Sequence, residues 1–215
     1  MDHGRLGPPG PEGYAGLGED RLVTRVEFKP YACCQWSHTI IEALSRLAKG
    51  LVPGDVAEVD VYGILEFYRG LGGGMLDNID DAQFNAPYLA ALQLLGRSSE
   101  FGMSEPDLAD SAVAKMTERV RLHHDPAYDV AQDATMAMPV RVEIATTGGE
   151  LRTLFIEEPP TSVQRSGFGQ NQICAKFRRV CDPVLGAERS ERALSMLLDI
   201  EHADFATLMQ LFAIA

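Results

Sequence analysis

Gly148-Gly149, set between two runs of alternating residues, is the feature that most limits what this chain can fold into. Val140 to Thr147 before it and Leu151 to Glu158 after it place apolar and polar side chains on opposite faces, and a Gly-Gly pair between such runs signals a hairpin. Strands joined this tightly make a sheet with one buried face, and that face has to be covered by other elements.

Amphipathic helices supply the cover. From Ser37 the positions Ile40, Ile41, Leu44, Leu47 and Ala48 keep the three-four spacing of a helix with one apolar face, and Gly50 and Pro53 end it. Asn85 is placed to cap a second helix, whose second residue, Pro87, costs nothing because the backbone N–H there has no partner in any case. Ala90, Ala91, Leu92, Leu94 and Leu95 carry that helix to Gly96. Asp107 to Val120 predicts another amphipathic helix, and His123-His124-Asp125 a polar loop after it.

Further strand signals lie earlier in the chain. Val56 to Phe67 is rich in β-branched and aromatic residues and predicts a strand, with Val59, Val61 and Ile64 in the core, followed by a loop at Gly70 to Gly74. Arg21 to Phe28 reads as a short strand stopped by Pro30, and residues 1–20, rich in glycine and proline, as a flexible lead-in. Pro159-Pro160 marks a boundary. Beyond it Asn171 to Cys181, Ser190 to His202 and Asp204 to Phe212 read as helices, and Leu194, Leu197, Leu198, Leu208, Leu211 and Phe212 form an apolar stripe that wants a partner surface.

Charge narrows the function classes. Against 31 acidic side chains stand 19 basic ones, a net charge of −12 that repels phosphate backbones and anionic lipid surfaces, so neither nucleic acid nor a membrane is an expected partner. A few converging cations can still hold a small anion, because distant surface charge is screened within about 10 Å. No apolar run has the length of a membrane span, and the N-terminus lacks the apolar core of a signal peptide, which points to the cytoplasm. Cys33 and Cys34 are adjacent and Cys174 and Cys181 lie apart, so no pair has zinc or redox spacing; four reduced, small apolar side chains are expected.

The chemistry-bearing residues concentrate in two segments. Phe28-Lys-Pro-Tyr-Ala-Cys-Cys-Gln-Trp-Ser-His38 leads into the first helix, with Lys29 and His38 on either side of a tight apolar turn. Asp81-Ala-Gln-Phe-Asn-Ala-Pro-Tyr88 leads into the second, with Tyr88 near its start. His38 at a helix N-terminus would be kept neutral by the positive end of the dipole, able to accept or donate a proton; a histidine bonded to the preceding turn is the equally ordinary reading. Tyr88 could hydrogen-bond a carboxylate or relay a proton, though a tyrosine there is more often packing. Asp81, Gln83 and Asn85 read mainly as turn-shaping residues. The Gly70 to Gly74 loop lacks the Gly-Lys-Ser/Thr ending of a phosphate cradle, and Arg69 beside it is a candidate second cation. His123 and His124 lack a clustered third metal ligand, and Lys176, Arg178 and Arg179 read as a solvated basic face.

From Gly10-Pro-Glu-Gly-Tyr14 to the last helix, these two segments included, the chain resembles the later half of the MmgE/PrpD enzymes, among them 2-methylcitrate dehydratase, cis-aconitate decarboxylase and iminodisuccinate epimerase. The resemblance implies an α+β fold, a small antiparallel sheet packed with helices and followed by C-terminal helices. It divides the chain into a lead-in at 1–20, an α+β domain at 21–160 and a helical segment at 161–215 that would pack on a helical domain preceding this half. It implies a metal-independent lyase with no cofactor, acting on a small di- or tricarboxylate by proton abstraction next to a carboxylate, with dehydration or decarboxylation as outcome, or epimerisation within the same family. Lys29, His38 and Tyr88 are then the catalytic candidates, and Lys29, Arg69 and Gln83 the substrate-binding ones. Cys34 departs from members that carry a histidine there. A homodimer and a separate helical-domain polypeptide are the expected partners. The rival expectation is a non-catalytic remnant or assembly subunit, since this half supplies one wall of a cleft.

Overall fold

A computed structural model describes residues 18–19, 28–74, 76–97, 105–135, 137–158 and 169–213. The lead-in (apart from Gly18 and Glu19), most of the proposed strand at Arg21 to Phe28, and the Pro159-Pro160 boundary lie outside the described residues.

The helices are α1 (His38–Leu47), α2 (Leu65–Gly70), α3 (Ile79–Ala82), α4 (Ala86–Leu94), α5 (Glu105–Leu108), α6 (Ser111–Thr117), α7 (Pro126–Thr135), α8 (Gln170–Leu185), α9 (Ala187–Leu198) and α10 (Phe205–Phe212). The strands are β1 (Val56–Gly63), β2 (Val120–His124), β3 (Val140–Thr146) and β4 (Leu151–Ile156). They form one sheet in the order β2-β1-β3-β4, and the chain is α+β. The hairpin is as the glycines predict: β3 and β4 are antiparallel, with Val142 opposite Leu154, and Gly149 turns between them at φ 84. β1 pairs antiparallel with β3, Val61 opposite Val142.

Three stretches differ from the sequence reading. The strand predicted to Phe67 stops at Gly63, and Phe67 instead sits in α2, buried in the core. Part of the reason is steric, since a Cβ at Gly63 would overlap the Phe67 ring. The other part is distant in sequence: the Asp129 carboxylate accepts the Leu65 N–H at 2.9 Å and so caps α2 from the start of α7. The helix predicted over Asp107 to Val120 is two short helices and the start of β2. Asp110 breaks it by accepting the Ala112 N–H at 2.7 Å, and Arg97 holds Asp107 and Asp110 together at 2.9 and 2.7 Å. His123 and His124 belong to β2 rather than to a loop, and β2 runs parallel to β1, which makes the sheet mixed.

The core lies between one sheet face and the helices. Val59 and Val61 of β1 and Val140, Val142 and Ile144 of β3 are at most 1% exposed, as are Ile40, Ile41 and Leu44 of α1. α4 is buried from Ala86 to Leu92, apolar all round, as suits a helix with neighbours on several sides. The opposite sheet face is polar: Tyr62 stacks on His123 at 4.7 Å, Arg141 lies 3.7 Å over the same ring, and Asp60 meets His123 at 2.6 Å. α8 to α10 have a smaller cluster, Ala193, Leu208 and Leu211 with Phe177, Met196 and Phe212, while Val184, Leu198, Ile200 and Phe205 stay more than half exposed.

Candidate functional site

The fold brings the two chemistry-bearing segments side by side. The Cys34 N–H donates to the Gln83 carbonyl at 3.0 Å, and the Ala86 N–H to the Leu71 carbonyl at 3.0 Å, so the turn before α1, the loop after α2 and the start of α4 are tied together. Trp36 packs on Phe67 with ring centroids 6.3 Å apart and completes the join. These are backbone and packing contacts, and they fix where the side chains start from.

Lys29 is on the surface of this region. Its Nζ donates to the Cys33 carbonyl at 3.2 Å, which folds the turn, and its own carbonyl accepts a hydrogen bond from Lys176 of α8. Lys176 is thus half-buried against the turn, while Arg178, paired with Glu191 at 2.7 Å, and Arg179 lie on the exposed face expected of this basic run. The signal that would have found Lys176 is three-dimensional, since 147 residues separate it from its acceptor.

His38 lies beneath, fully buried at the first residue of α1, with Tyr31 edge-on at 5.2 Å. Among the described residues neither ring nitrogen makes a well-formed hydrogen bond, although the Cys33 and Tyr31 carbonyls approach the ring, and the neighbouring Ser37 Oγ and Thr39 Oγ1 have no partner. Burial pushes its pKa down to about 4, helped by the positive charge of Lys29 and then Lys176, while the nearby carbonyls of Cys33 and Tyr31 offset only part of this. The imidazole is therefore neutral at physiological pH. Burial, with the thiol of Cys34 and despite Lys29, likewise pushes the Cys33 thiol up to about 12 and leaves it unreactive.

Tyr88 sits in the first turn of α4, 1% exposed, with its N–H donated to the Asn85 Oδ1 at 2.9 Å and its hydroxyl without a partner among the described residues. Burial and then the charge of Asp107 push its pKa up to about 12, with Arg97 acting the other way, so the phenol stays protonated. Its charged neighbours are therefore Asp107 and Arg97, whereas those of His38 are Lys29 and Lys176.

Arg69, Asp81 and Asn85 line one cleft of about 220 Å³ around the Gly70 to Gly74 loop. Asn85 is 5% exposed and fills the capping role that its place in the sequence predicts, but its position in the cleft is visible only in the fold. Gln83 donates its Nε2 to Asp80 at 3.2 Å. His124 and Asp129 meet at 2.7 Å, and among the described residues no three His, Cys, Asp or Glu side chains cluster as metal ligands do.

The turn thus holds a neutral buried imidazole with Lys29 and Lys176 as its charged neighbours, and the adjoining loop carries Arg69 in a cleft. Among the described residues no helix is long and apolar enough to cross a membrane. No curated protein matches the sequence. The model of the MmgE/PrpD C-terminal domain matches residues 31–202, most of the chain, and the protein belongs to that family.

Proposed function

We propose that the protein supplies the C-terminal wall of a lyase site for a small di- or tricarboxylate, in which a proton is removed next to a carboxylate. The observation that carries this reading is the pairing of exposed Lys29 with the buried, neutral His38 at the mouth of α1, in a chain of the MmgE/PrpD family. Lys29 binds the substrate carboxylate and stabilises the negative charge that develops when the proton leaves. Unliganded, His38 is a weak base, because Lys29 and burial both oppose its protonation. A bound carboxylate offsets the Lys29 charge and raises the pKa of His38 towards the range in which it can take a proton. Tyr88, held protonated and buried beside Asp107 and Arg97, anchors α4 behind this wall. The reaction is dehydration or decarboxylation, and a helical domain supplies the opposite wall and the second proton-transfer group.

The test is an assay of 2-methylcitrate, cis-aconitate and iminodisuccinate with the chain alone and with a helical domain of the family added. Turnover is expected only with the domain, and Lys29→Ala should lower it by about a hundredfold or more. An unchanged rate in that variant removes Lys29 from the mechanism. No turnover under any condition leaves the non-catalytic subunit as the better reading, and racemised product from iminodisuccinate shifts the reaction to epimerisation.

A further inference from the structure

β4 is an edge of the sheet, and it lacks the devices that usually keep an edge from pairing. The Thr146 N–H donates to the Glu150 carbonyl at 2.8 Å, and from that bond the register runs Ile144 opposite Arg152, Val142 opposite Leu154 and Val140 opposite Ile156. In an antiparallel ladder these residues direct their backbone groups at β3, so the N–H and C=O groups of Leu151, Thr153 and Phe155 point to the open edge. No register shift interrupts the pairing. The strand has no lysine, proline or glycine, and its one charged residue, Arg152, is engaged elsewhere: the guanidinium donates to the Leu47 and Lys49 carbonyls at 2.9 Å and to Glu150 at 2.8 Å.

The outer sheet face turns apolar only at this edge. Asp60 and Tyr62 of β1 and Arg141 and Glu143 of β3 share that face, whereas on β4 Leu151 is 62% and Phe155 51% exposed, with exposed Thr153 between them. Leu-x-Thr-x-Phe is nearly a palindrome in polarity and size. A second copy turned about an axis at Thr153 sets Thr153 against Thr153 and Leu151 against Phe155, each outward residue meeting another. No charged side chain then lies directly opposite one of its own sign, because Arg152 faces Leu154 and Glu150 faces Ile156. The neighbouring registers are poorer, since one sets Phe155 against Gly149 and the other Leu151 against Glu157.

We infer that β4 pairs with β4 of a second copy of this chain, antiparallel about a two-fold axis at Thr153, joining the two sheets into one. About six N–H···O bonds form along the edge, and each Phe155 covers a Leu151 of the other copy. The self-complementary pattern is what selects a second copy as the occupant. A net charge of −12 opposes the encounter, but Leu151, Thr153 and Phe155 carry none of it, and salt screens the rest. The strip is narrow beside the roughly 800 Å² that each partner gives to a stable interface, which puts the dissociation constant near ~100 μM. The pairing does not rest on the lyase reading.

The experiment is sedimentation velocity of the full chain from about 10 μM to about 1 mM. A reversible dimer should form, and it should tighten as salt is raised, because the interface is apolar and the repulsion is electrostatic. Thr153→Pro removes an outward N–H and spares the bonds to β3, so it should keep the wild-type circular dichroism and weaken the dimer about tenfold or more. Should that variant fail to fold, Phe155→Lys, at an exposed position, should weaken the dimer as much. Mild oxidation gives the register. Thr153→Cys should yield a disulfide-linked dimer, its facing Cα atoms being about 5.5 Å apart, and Leu151→Cys, about 13 Å from its counterpart, should link no more than the wild type. A chain still monomeric at about 1 mM, a dimer that both edge variants leave intact, or equal cross-linking of the two cysteine variants overturns the inference. So does slow amide exchange at Thr153 and Phe155 in dilute protein, which would mean that the chain covers its own edge.

Discussion

The turn from Lys29 to His38 and the cleft from Arg69 to Asn85 are neighbours joined by the Cys34 to Gln83 hydrogen bond, yet they treat charge in opposite ways. In the first, an imidazole, a thiol and two hydroxyl-bearing side chains are buried, and burial holds the ionisable ones neutral. In the second, a guanidinium and a carboxylate stand exposed beside a single buried amide. Dry surroundings make a proton's position sensitive to any nearby charge, while wet ones let an ion bind without a large desolvation cost. The difference separates a dry turn, whose ionisable groups are held neutral, from a wet cleft, whose charges stay in solvent.

The largest expected effect comes from the buried side. Unfolded, His38 takes its proton near pH 6.5; folded, near pH 4. Between these values the unfolded state holds more protons, so stability is full above pH 6.5, falls as the pH drops towards 4, and loses no more to this group below that. The loss is on the order of 3 kcal/mol. Urea denaturation of the wild type and His38→Gln at pH 7 and pH 4 checks it: the variant should lose less stability by about that amount, and equal losses would break the contrast between the two regions.

Gly72→Ala tests the open side. The added methyl meets backbone rather than a flexible side chain, so the loop has to move, at a cost of about 2 kcal/mol, read as a lower urea midpoint. A variant as stable as the wild type would show that the loop is not held as described. Asn85→Ala removes the cap of α4 and should cost about 1 kcal/mol in the same measurement. The smallest effect is chemical. Iodoacetamide at pH 8, followed by peptide mass spectrometry, should label half-buried Cys34 well before Cys33, and equal labelling would mean that the turn opens readily.

Legibility in the sequence followed the range of the forces. Elements fixed by neighbours in the chain were readable: the β3–β4 hairpin from its glycines, α1 from its apolar spacing, α4 from Asn85 and Pro87. Elements fixed from a distance were not. The stop after β1 depends on Asp129, 64 residues beyond Leu65, and β2 exists as a strand because Val120 to His124 finds the free edge of β1. The site divides the same way. Lys29 and His38 were visible as a pattern leading into a helix, but the complete burial of His38, the reach of Lys176 to the Lys29 carbonyl and the inward amide of Asn85 are products of packing.

The turn keeps His38 dry and neutral, with burial first and the Lys29 charge second opposing its protonation. The most direct test is an NMR titration of the His38 ring in the full chain, assigned by the loss of its signal in His38→Gln. The midpoint should lie at about pH 4. A midpoint near 6.5, the value of a solvated histidine, would contradict it.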